Sequence, residues 1–145
     1  MDELIEQMKV SLASTFAFYL KAHGFHWNVE GANFPQYHEF LGDLWEETFG
    51  AVDPIAEHLR TLNSYAPASF ARYTELSIVK DELNIPSAMS MMTKLTTDNA
   101  TVIEQLTKTQ ALAEQNKKMG LANFLQDRID AHEKHGWMLR SIIKA

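Results

Sequence analysis

The chain has 145 residues with a net charge of −6 and no cysteine, so it is long enough for one domain with its own core. The missing thiols exclude a disulfide scaffold, a thiolate zinc site, an iron–sulfur cluster and a cysteine nucleophile. Hydrophobic residues at 46%, charged residues at 22% and few Gly or Pro describe a globular, helix-favouring chain. A pI near 5.4 is unfavourable for phosphate binding. No apolar run is long enough to span a membrane. The opening MDELIEQMKV carries acids where a secretory signal carries bases, so a cytoplasmic location is expected.

Four long helices are predicted. The first runs from about Asp2 to Trp27, with Leu4, Ile5, Met8, Leu12, Phe16, Tyr19, Leu20 and His23 at helical spacing and acids at its start. Asn28, Gly31 and Asn33 mark a turn. The second runs from about Pro35 to Leu62; Pro54 inside it predicts a kink, after which Ile55, Leu59 and Leu62 resume the stripe. The connection from Asn63 to Ile85 has room for one short helix near Ser69 to Leu76, and connections of this length usually have a function. The third helix is expected from about Ser87 to Asn116, with Ser87 as N-cap. The fourth is expected from Leu121 to Lys144, after punctuation at Gly120, with Phe124, Leu125, Ile129, Trp137, Met138, Ile142 and Ile143 pointing inward. The expected fold is therefore a single all-α domain over 1–145, a four-helix ferritin-like bundle with a short extra helix in its long central crossover.

Bundles of this kind often hold metal through Glu-x-x-His pairs, and this chain has none. That argues against a di-iron site inside one bundle. Asp53 and Glu57, four apart, share a helix face and offer oxygen ligands suited to iron, manganese or magnesium; alone, such a pair is usually solvated surface. His26 closes the first helix and His38 opens the second, so the two imidazoles share one end of an antiparallel hairpin. His38 and Asp53 are fifteen residues apart, roughly 22 Å along a helix, too far for one metal to bridge. A second copy packed antiparallel through a two-fold axis would bring its carboxylates to these histidines, giving two equivalent sites.

The stretches KAHGFHWNVEGANFPQYHEF, VDPIAEHLRTL and AHEKHGWML resemble the Dps-like mini-ferritins over nearly the whole chain. The resemblance implies an iron-oxidising centre at a two-fold interface, with up to two non-haem irons per site. Its ligands would be His26 and His38 from one subunit and Asp53 and Glu57 from the other. It also implies a homo-oligomeric hollow shell, a dodecamer, that oxidises Fe(II) with hydrogen peroxide or dioxygen and stores the ferric product, protecting against oxidative damage. Trp27, beside an implied ligand, is placed to intercept a stray oxidising equivalent; the plainer reading of Trp27, Trp45 and Trp137 is packing.

Departures from the family pattern stand beside this. Gly42 occupies the position where the family often has an acid, with Asp43 next to it, leaving the second iron to weak or water-mediated binding. Gly120, Leu121 and Asn123 stand where the family's pore-lining acids are common, with Asp127 and Asp130 as substitutes. The Lys/Arg-rich tail of DNA-binding members has no counterpart, so no DNA binding is expected. Two alternatives stay open: a Dps-type nucleoid protein, and a structural shell with a degraded metal site. Met89, Met91 and Met92 are expected to fill the core. His132, His135, His58 and His23 are expected at solvated positions.

Overall fold

The computed structural model describes residues 1–144. It contains α1 (Asp2–Asn28), α2 (Phe34–Thr61), α3 (Phe70–Leu76), α4 (Ala88–Gln115) and α5 (Met119–Ile143), with no strand among the described residues. α1 pairs with α2 and α4 with α5 through short turns. α1 also packs on α4, and α3 lies against α1 within the 62–87 crossover. This is the expected ferritin-like bundle.

The apolar stripes dictate this packing. Leu4, Met8, Leu12, Phe18 and Phe25 of α1 are buried with Leu41, Leu44, Ile55 and Leu59 of α2 and Met91, Met92, Leu95 and Leu106 of α4. Met89 differs from its neighbours and is exposed. The caps follow local chemistry. Ser69 and Ser87 accept hydrogen bonds from the backbone N–H groups of Arg72 and Ser90, each at 3.2 Å. α2 runs unbroken through Pro54.

Both long hairpin helices end by turning one residue left-handed. Asn63 (φ 62°) follows α2, and the Ser64 N–H donates back to the Leu59 carbonyl. Lys117 (φ 58°) follows α4, and the Lys118 N–H donates to the Ala113 carbonyl. These are the paired reverse bonds of a Schellman end, which usually falls to glycine. The expectation that Gly120 punctuates this turn is therefore corrected. Lys117 makes the turn, and Gly120 lies in the first turn of α5, which starts at Met119.

Trp137 also departs from its expected inward position and is 59% exposed, and Trp27 is 60% exposed. Of the three tryptophans only Trp45 packs against the core.

Candidate metal centre

His26 sits in the last turn of α1 and His38 near the start of α2. Each ring's Nδ1 meets the other residue's backbone carbonyl: His26 Nδ1 to His38 O at 2.7 Å, and His38 Nδ1 to His26 O at 2.8 Å. A carbonyl oxygen can only accept, so both Nδ1 atoms carry the proton and donate it. In the neutral ring this tautomer leaves the lone pair on Nε2, the form in which imidazole binds a metal. The His26 carbonyl is available because it belongs to the last turn of a helix, where carbonyls lack intrahelical partners. The His38 carbonyl has a second lone pair beyond its helical bond.

The two rings are stacked, with centroids 3.8 Å apart and planes 14° from parallel, and Phe34 backs His38 at 5.0 Å. Gly42 lets His26 lie this close to α2. A Cβ at that position would stand 3.1 Å from His26 Cε1 and 3.3 Å from Nδ1.

Asp53 and Glu57 lie on the exposed face of α2, and neither has a hydrogen-bond or ion-pair partner among the described residues. They share a helix with His38 but stand fifteen residues beyond it. The fold thus joins the two histidines, keeps the two carboxylates adjacent, and does not bring the pairs together within one chain. Among the described residues no group of three or more His, Asp or Glu side chains converges on one point. Between the two half-sets the same surface carries Phe49, 48% exposed, with Leu20 and Trp27 exposed on neighbouring α1.

Beside His26 lies an aromatic cluster. His23 stacks on Trp45 with centroids 3.8 Å apart and planes 8° from parallel, and Trp27 approaches its other side at 4.1 Å. The Tyr19 hydroxyl is 2.9 Å from His23 Nδ1. Burial, aided by the nearby His26, lowers the His23 pKa, and burial raises that of Tyr19. His23 is therefore half-buried against aromatic rings rather than solvated. His58 likewise packs on Phe124, with ring centroids 4.7 Å apart.

A further correction lies in the bundle core. His132 is fully buried and His135 only 9% exposed, where solvated positions were expected. Arg128 makes a two-pronged ion pair with Glu47 of α2, and His135 Nε2 donates to Glu47 Oε1 at 2.7 Å. Arg128 also donates to His132 Nε2 at 3.1 Å. Because a guanidinium can only donate, His132 carries its proton on Nδ1 and donates it to Asn99 Oδ1 at 2.8 Å. Asn99 Nδ2 closes the ring by donating to the His132 carbonyl, also at 2.8 Å. Glu47, Asn99 and Arg128 carried no signal in the apolar pattern.

This network fixes a pH response. Burial alone would raise the Glu47 carboxyl, but the hydrogen bonds and charges of His135 and Arg128 outweigh it and hold it well below the usual carboxylate range. Its contribution is full above the unfolded value, about 4.3, and is lost as pH falls towards the folded value. Burial, helped by the Arg128 cation and His135, lowers the His132 pKa. Below about 6.5 the unfolded chain therefore takes up a proton that folded His132 refuses. Both effects destabilise on acidification. The melting temperature is expected to fall between pH 7 and pH 5, and again below pH 4. His132→Asn, measured across the same series, should reduce the first fall, leaving the part that comes from His23 and His58, whose pKa values burial also lowers, and should leave the second unchanged.

The ferritin-like domain family matches residues 5–145. The chain is 31% identical over 134 residues to the DNA protection during starvation protein of Brevibacillus brevis, covering 92% of this chain and 89% of that one. It is 30% identical over 143 residues to antigen TpF1 of Treponema pallidum, covering 98% and 81% respectively. The crystal structure of that antigen superposes with a TM-score of 0.95 over 99% of this chain and 93% of the antigen. Dps from Vibrio cholerae, described as a member of a broad superfamily of ferritin-like diiron-carboxylate proteins, superposes with a TM-score of 0.94 at 25% identity, over 99% and 90%. With the bundle, the crossover helix and nearly the full length in agreement, the chain belongs to the ferritin-like superfamily and, within it, to the Dps-like mini-ferritins.

Proposed function

We propose that the protein oxidises and stores iron at sites completed between subunits. Fe(II) binds through the Nε2 atoms of His26 and His38 together with Asp53 and Glu57 of the partner subunit. The observation that carries this reading is the reciprocal hydrogen bonding of His26 and His38, which turns both imidazoles into metal-ready ligands at one end of α2. Unpartnered carboxylates one turn apart complete the donor set. An isologous antiparallel contact between two α2 helices pairs the halves twice, and Phe49, Leu20 and Trp27 supply apolar surface around it.

The chemistry follows from the donors. Carboxylate and imidazole favour ferric over ferrous iron, and positions left open by the protein admit the oxidant. Hydrogen peroxide or dioxygen takes the electrons, and the ferric product collects inside a closed shell of about twelve chains, the assembly that the resemblance to the Dps-like family implies. Glu57 anchors iron in both oxidation states. Trp27, next to His26 and exposed, stands ready to intercept an escaping oxidant.

Anaerobic Fe(II) titration followed by a peroxide pulse tests this. The intact oligomer should bind ferrous iron saturably and develop ferric absorbance much faster than iron in buffer. His26→Ala/His38→Ala should lose both properties while keeping its oligomer size by light scattering. A monomer at micromolar concentration, or oxidation no faster than in buffer, would overturn the reading.

A further inference from the structure

We propose that Glu47, His132 and His135 form a divalent-metal site in the bundle core whose cation is the Arg128 guanidinium, and that Arg128 is the residue that keeps metal out of the bundle. The cluster joins α2 to α5 and uses none of His26, His38, Asp53 or Glu57. Metal exclusion there stands whether or not iron is oxidised between subunits.

Glu47 of α2 and His132 and His135 of α5 supply one carboxylate and two imidazoles. The same combination holds zinc or non-haem ferrous iron, with positions left open. Here it surrounds an organic cation. Arg128 Nη2 stands 3.0 Å from Glu47 Oε1 and 3.1 Å from His132 Nε2, and the same Oε1 takes the His135 Nε2–H at 2.7 Å. These are hydrogen-bond lengths, whereas zinc bonds to nitrogen and oxygen are about 2 Å long. The guanidinium thus holds the donors apart, and among the described residues they do not converge on one point.

His132 is prepared as a ligand. It is fully buried, donates Nδ1–H to Asn99 Oδ1 and turns the Nε2 lone pair towards positive charge. A metal-ligating histidine is fixed in the same way, by an outer hydrogen bond at its other nitrogen. Asn99 is pinned in turn by its bond to the His132 carbonyl, and Gly136 makes room for it. A Cβ at Gly136 would stand 3.0 Å from Asn99 Nδ2.

The guanidinium fits this place imperfectly. Its Nε–H is buried with no acceptor among the described residues, which costs the fold stability. What it supplies is a positive charge that cannot be deprotonated. A divalent ion cannot enter while that charge and volume are present. Without Arg128, the Glu47 carboxylate and the His132 lone pair face an empty space. His135 frees its own Nε2 by moving the proton to Nδ1, as a neutral imidazole can. Three donors can then close on one ion. Where iron is oxidised between subunits, Arg128 leaves ferrous ions no second resting place inside the bundle.

The test uses the full chain carrying His26→Ala/His38→Ala, which removes the inter-subunit imidazoles, with and without Arg128→Ala. Zn(II) and Co(II) are the probes. Zn(II) should bind Arg128→Ala at one ion per chain and raise its melting temperature by roughly 5–10 °C at about a hundredfold excess over the dissociation constant. Co(II) should give the visible ligand-field absorption of a four- or five-coordinate nitrogen–oxygen site. The chain that keeps Arg128 should show neither response. Arg128→Ala/His132→Phe, which fills the core but removes one ligand, should lose both. If Arg128→Ala does not fold alone, it is refolded with and without Zn(II). Recovery of helix only with Zn(II) supports the site, and no recovery with Zn(II) overturns it. An equal zinc response with Arg128 in place, one undiminished by His132→Phe, or none in folded Arg128→Ala would also overturn the proposal.

Discussion

Arg128→Ala is expected to destabilise the folded chain by about 3 kcal/mol, because removing one partner of a buried ion pair strands the other. The side chain is buried, and its loss leaves Glu47 with one partner and His132 Nε2 with none. Glu47 keeps some contact with solvent, which places the effect near the lower end for such pairs. For a chain of this size the melting temperature should drop by roughly 6–12 °C at fixed protein concentration. Arg128→Met/Glu47→Gln should lose less than the sum of the two single substitutions, since neither residue is then left as an unpaired charge. Equal and additive losses would show that the network is not a unit.

The second large effect concerns the half-sites. His26→Ala/His38→Ala should abolish rapid iron oxidation with little change in melting temperature. Both rings are only partly buried, and their partners are carbonyls that water can satisfy. Asp53→Ala/Glu57→Ala should do the same from the other end of α2, because both carboxylates are exposed and unpartnered. Two substitution pairs, one at the His38 end of α2 and one about 22 Å further along that helix, each sufficient to eliminate the activity, are hard to explain by a site within one chain.

These two sets of residues also show what could be read in advance. The bundle was legible because Leu4, Met8, Leu12, Leu41, Leu44, Ile55 and Leu59 repeat at helical spacing and are buried as that spacing requires. The crossover helix was legible from Ser69 and the prolines around it. His26 and His38 could be placed at one end because a short turn joins their helices. Their reciprocal bonds could not be read, since these depend on the register of one helix against the other.

The core network was invisible for a different reason. Glu47 meets Arg128 and His135 from 81 and 88 residues away, and a polar residue on an amphipathic helix is read by default as solvated. Burial of His132 depends on Asn99 arriving from α4 to satisfy it. The α4–α5 turn was misplaced at Gly120 because glycine is the usual left-handed residue, whereas Lys117 adopts that conformation here.

Complementation tests the shared site most directly. A His26→Ala/His38→Ala chain and an Asp53→Ala/Glu57→Ala chain are each assembled alone, then mixed, dissociated and reassembled. A dimer of one of each joins the intact carboxylates of the first to the intact histidines of the second. It therefore carries one complete site and one empty site. The account predicts that mixed oligomers recover part of the peroxide-dependent iron oxidation that both parents lack. Mixed oligomers of the correct size that stay as inactive as their parents would contradict it.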